Sequence, residues 1–67
     1  MTTRKRFIMR LRQLRADRGI TQEALAKKAG ISRVYIARLE LGQQDPTLGT
    51  LTKLAKALKV KVGKLLE

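Results

Sequence analysis

The feature that most restricts the fold of this chain is its punctuation. Gly19 is followed shortly by Thr21, and Gly30 by Ser32. A glycine accepts the left-handed backbone that stops a helix, and a hydroxyl at the next start accepts a hydrogen bond from an otherwise unpaired helical N–H. Two stops and two starts this close together confine the segment between them to a helix of about two turns, followed by a sharp turn into another helix. Gly42 ends that next helix, Gln43 to Pro46 forms a polar loop, and Thr47 is placed to cap a further one.

The apolar residues fit between these marks. Phe7, Ile8, Leu11 and Leu14 recur at three- and four-residue steps and predict a first helix over 7–18. A second helix over 22–29 turns Leu25, Ala26 and Ala29 inward. The third runs from the Ser32 cap through Leu41, with Ile36, Leu39 and Glu40 on one side and Val34, Ala37, Arg38 and Leu41 on the other. A fourth over 48–58 buries Leu51, Leu54, Ala55 and Leu58. Val60, Val62, Leu65 and Leu66 predict a short fifth helix that Gly63 weakens. Residues 1–6 have no apolar period and read as a basic flexible arm, which leaves 7–67 as one all-α unit of four to five helices.

Composition narrows the function classes. A chain of 67 residues builds one core and excludes two domains. With 16 Lys and Arg against 5 Asp and Glu, the formal net charge is +11, which calls for a polyanionic partner. No apolar run approaches the roughly 20 residues that span a bilayer, and no signal peptide opens the chain, so no membrane role and a cytoplasmic location are expected. The absence of Cys and His excludes disulfides and the usual zinc sets, and it removes the commonest nucleophiles and bases. Asp17, Glu23, Glu40, Asp45 and Glu67 are scattered over different elements, so neither an enzyme nor a cofactor or metal site is expected.

The residues Thr21-Gln22, Leu25-Ala26, Gly30-Ile31-Ser32, Ile36, Leu39-Glu40, Gly42 and Pro46 together resemble the lambda repressor and Cro-like (Xre-type) helix-turn-helix family. Within it, Ser32-Arg33-Val34-Tyr35-Ile36 is similar to the recognition helix of the controller proteins of restriction-modification genes. The resemblance implies a compact lambda repressor-like DNA-binding domain with its helix-turn-helix at helices 2 and 3. It further implies a homodimer that binds a palindromic operator on double-stranded DNA in a prokaryotic or phage setting. Arg15 and Glu40 stand at positions that pair in some relatives, which implies a structural bridge between the first and third helices. Relatives often dimerise through the last helix, which points to Val62 and Leu66. Their alternative role is to close the core of a monomer. Many relatives open that helix with Ser or Pro, where this chain has Lys61, and this departure bears on the dimer contact.

The remaining site residues follow from helix geometry and hydrogen-bonding chemistry. A helix held across its neighbour by a short turn fits the major groove, where Arg33 and Arg38 can each give two hydrogen bonds to a guanine and Val34 can pack on a thymine methyl. The alternative for both arginines is a solvated cationic face. Gln22 and Ser32 stand at helix starts, where N–H groups and the helix dipole favour a phosphate. Gln43, Gln44 and Thr47 form a second such edge, with helix capping alone as the alternative for Thr47. Tyr35 either lies over sugar and phosphate or covers the edge of the core. The chain ends about where such a domain ends, which predicts control through protein concentration. A second function class remains open at this level, a protein-interaction module such as an antitoxin that binds an acidic toxin, with DNA contact secondary.

Overall fold

The computed structural model describes residues 3–67, which form five helices and no strand. They are α1 (Thr3–Asp17), α2 (Gln22–Ala29), α3 (Arg33–Glu40), α4 (Leu48–Leu58) and α5 (Val62–Leu66). Capping defines them. Thr21, Ser32 and Thr47 each have extended backbone and accept from the N–H three residues on, at Ala24, Tyr35 and Thr50. At the other ends the chain turns through left-handed backbone. Gly30 (φ 71°) closes α2, with the Ile31 N–H reaching back to the Ala26 carbonyl at 3.0 Å. Gly42 (φ 74°) closes α3, and the Gln43 N–H returns to the Arg38 carbonyl at 2.9 Å. Lys59 takes the same conformation after α4, the one described non-glycine residue to do so.

The core is aliphatic. Leu11, Leu25, Ile36, Leu39, Leu54, Leu58 and Leu65 are fully buried, and Phe7, Leu14, Ala26, Ala29 and Ala55 complete the interior. Each of the five helices contributes, with α1 packed on α3 and α5, α2 on α3 and α4, and α4 on α5. Truncating any of the buried leucines to alanine removes roughly 2–5 kcal/mol, a large share of the stability of so small a domain. The small side chains of Ala26 and Ala29 let α2 approach its neighbours closely.

One expectation is overturned and one is met. First, α1 begins at Thr3, so residues 4–6 belong to a helix and not to a flexible arm; Met1 and Thr2 lie outside the described residues. Arg and Lys are good helix formers, Phe7 anchors this turn in the core at 3% exposure, and Arg4 is bonded to Asp45 across the molecule. The lack of an apolar residue in this turn shows only that the turn is exposed. Second, the short fifth helix is present at Val62–Leu66 despite Gly63, because Leu65 is fully buried and Arg10 donates to the Lys64 carbonyl at 3.1 Å, satisfying an end of the helix.

Candidate nucleic-acid interface

The turn between α2 and α3 is set by local chemistry. Gly30 reverses the chain, Ser32 starts α3 at once, and Ile36 and Leu39 bury the inner side of α3 completely. The outer side then has to face away from the protein. It carries Arg33 and Arg38, both exposed, and Val34 at 50% exposure, with Leu41 at 70% just beyond. The three residues expected to read bases are therefore all exposed on the outside of α3, Arg33 and Val34 in its first turn and Arg38 in its last.

Behind that face lies a polar network. Arg15 of α1 donates through Nε to Glu40 Oε2 at 2.9 Å and through Nη2 to Glu40 Oε1 at 3.1 Å, and its Nη1 donates to the Ile20 carbonyl. Glu40 is buried, yet its carboxylate also accepts from Gln22 Nε2 at 3.0 Å. One carboxylate thus joins α1, the start of α2 and the end of α3. The pairing of Arg15 with Glu40 is as expected from the sequence, whereas Gln22, expected to meet a phosphate or merely to open a helix, is bonded to the same carboxylate. A glutamine amide has two hydrogens, and the one directed to Glu40 leaves the other for a second acceptor.

A second edge is organised around α4. Thr47 Oγ1 accepts from the Thr50 N–H at 3.1 Å, and the Thr47 and Thr50 hydroxyls lie 3.0 Å apart. The Thr50 hydroxyl in turn lies 3.0 Å from that of Tyr35. Tyr35, half-buried, therefore ties α3 to the start of α4 while packing at the edge of the core. Ser32, Gln43, Gln44 and Thr47 are exposed along this rim. The expected dimer residues separate: Val62 is half-buried against the core, whereas Leu66 is 40% exposed. No local signal pointed to the bonds of Gln22 with Glu40 or of Tyr35 with Thr50, because each joins residues far apart in sequence.

A helix-turn-helix family profile matches residues 11–65. The chain belongs to the Cro/C1-like helix-turn-helix family. It is similar to an uncharacterised HTH-type transcriptional regulator, y4dJ, of Sinorhizobium fredii, at 40% identity over 60 residues that cover 90% of this chain and 78% of that protein. The control protein C.SmaI of Serratia marcescens is 43% identical over 56 residues, covering 84% of this chain and 67% of that one. Among solved structures, the restriction-modification controller protein C.AhdI of Aeromonas hydrophila superposes with a TM-score of 0.87 at 40% identity, covering 90% of this chain and 91% of the other. The family is one of DNA-binding transcriptional regulators without catalytic activity. Among the described residues, no helix is long and apolar enough to cross a membrane.

Proposed function

We propose that the protein regulates transcription by binding a palindromic DNA operator as a homodimer, with α3 in the major groove. The observation that carries this reading is the division of α3 into a pinned inner side, Ile36, Leu39 and Glu40, and a free outer side bearing Arg33, Val34 and Arg38. Arg33 and Arg38 read guanines and Val34 reads a thymine methyl. Gln22, Ser32, Tyr35, Gln43, Gln44 and Thr47 hold the flanking backbone and fix the register. A single domain spans only a few base pairs, so specificity calls for two half-sites about one helical turn apart, with Val62 and Leu66 in the seam between protomers. The similarity to C.SmaI and C.AhdI favours control of restriction-modification genes, and work on chromosomal or phage DNA places the protein in the cytoplasm.

The test is selection of bound DNA from a random pool near physiological salt, repeated with Arg33→Ala and Arg38→Ala. At a net charge of +11 nonspecific attraction is strong, so salt must be controlled. The expected result is a two-fold symmetric site whose guanine preference relaxes in each variant by roughly 1–3 kcal/mol. A pool without any enriched sequence, with both variants binding like the parent, overturns the assignment.

A further inference from the structure

The loop between α3 and α4 carries an acidic side chain where a DNA-binding surface should not want one. Asp45 is the sole carboxylate between Leu41 and Leu66, and it lies among Gln43, Gln44 and Thr47, the residues assigned above to the DNA backbone. A bare carboxylate there repels phosphates, over a screening length of about 8 Å at physiological salt.

The fold supplies a counter-charge from the other end of the sequence. Arg4 Nε donates to Asp45 Oδ1 and Arg4 Nη2 to Oδ2, both at 2.8 Å, and Nη1 reaches the Gly42 carbonyl at 3.5 Å. The two-pronged hydrogen bond from Arg4 holds the Asp45 carboxyl below its ordinary value. Geometry keeps the partners facing each other. Arg4 sits in the first turn of α1, and Ile8, one turn on, packs so closely on the loop that a Cβ at Gly42 would lie 3.3 Å from its Cδ1. An apolar contact and an ionic fork therefore join the start of α1 to the same loop. The Nε and Nη2 edge of the guanidinium is taken by Asp45 and Nη1 reaches the Gly42 carbonyl, so the charge of Arg4 is directed at the loop and not outward.

We infer that Arg4 is a charge-masking residue for DNA binding: it cancels the charge of Asp45 and thereby lets the loop between α3 and α4 approach a phosphate. The inference rests on the DNA-binding reading above. As an exposed pair, the bridge contributes little to folding, so its effect belongs to the bound state.

A four-species cycle tests it, using the parent, Arg4→Gln, Asp45→Asn and the double variant, with Arg12→Gln as the control for loss of an exposed cation of α1. Affinity for the DNA selected by the parent is measured by fluorescence anisotropy at several salt concentrations, after circular dichroism melts establish that every variant is folded. Arg4→Gln is expected to weaken binding by about fivefold more than Arg12→Gln, the upper range for an exposed charge pair. Asp45→Asn should bind at least as tightly as the parent, and the double variant should return to within about twofold of it, with the differences shrinking as salt rises. A double variant as weak as Arg4→Gln overturns masking, because Arg4 would then act by touching phosphate or by holding the loop. Equal losses for Arg4→Gln and Arg12→Gln overturn it as well. If the parent itself shows no salt-dependent DNA binding, the underlying reading fails and masking fails with it, an outcome distinct from a parent that binds while the double variant stays as weak as Arg4→Gln.

Discussion

The molecule contains the same chemical device twice, in two surroundings. Behind α3, Arg15 grips Glu40 with the arginine side chain 22% and the carboxylate 5% exposed; at the loop before α4, Arg4 grips Asp45 with the two side chains 53% and 63% exposed. Both are two-pronged, and their shortest contacts are 2.9 and 2.8 Å. Distance therefore does not separate them, and burial does. Removing either member of the inner pair leaves a charge that the fold only partly opens to water, whereas either member of the outer pair can return to solvent. The inner pair thus belongs to the architecture, with Gln22 as its third member, and the outer pair lies on the surface, where the masking proposal gives it a role.

The largest way to break this contrast is Glu40→Gln, which strands Arg15 and weakens the bond to Gln22. A loss of roughly 3 kcal/mol is expected, or a fall in melting midpoint of about 12 °C or more for a domain of this size. Replacing Arg15 and Glu40 together with Met and Leu should recover much of that loss, because a well-packed apolar pair carries no desolvation cost. Melting like the parent in Glu40→Gln would remove the distinction altogether. Next in size is Gln22→Ala, expected to cost about 1 kcal/mol in a urea titration through one lost hydrogen bond to the carboxylate. Thermal melts of Arg4→Gln and Asp45→Asn sharpen the other side: both midpoints should stay close to the parent's, and a fall as large as that of Glu40→Gln would show the outer pair to be structural. The smallest effect is in acid. Because the folded-state value of Asp45 lies below its ordinary 3.8, its contribution to stability is present above that pH and fades as pH drops through the lower folded value. The stability difference between parent and Asp45→Asn should accordingly be small, with its change in acid titration confined below 3.8.

The elements that local chemistry governs were legible in the sequence. Thr21, Ser32, Gly30 and Gly42 placed α2 and α3, since caps and left-handed stops depend on a few neighbouring residues. The outer face of α3 followed from helical period alone. What escaped was non-local. The start of α1 at Thr3 depends on Phe7 reaching the core, and the bond of Arg4 is to a residue 41 positions away, so no window of sequence shows either. The bond of Gln22 to Glu40 was hidden for the same reason, as was the junction of Tyr35 with Thr50. The amphipathic pattern of α5 was visible, but its persistence despite Gly63 depends on the complete burial of Leu65 against α1 and α4.

The line of hydroxyls from Tyr35 through Thr50 to Thr47 has a property that neither helix has by itself. Each oxygen can serve its neighbour as donor or acceptor, so the line can be satisfied in two opposite senses. With no acceptor outside, either sense is available. An anion that takes the Thr47 proton fixes one: Thr50 then donates to Thr47, and Tyr35 donates to Thr50. The orientation of a proton on α3 would thereby be set by what is bound at the start of α4, through a relay that moves no heavy atom.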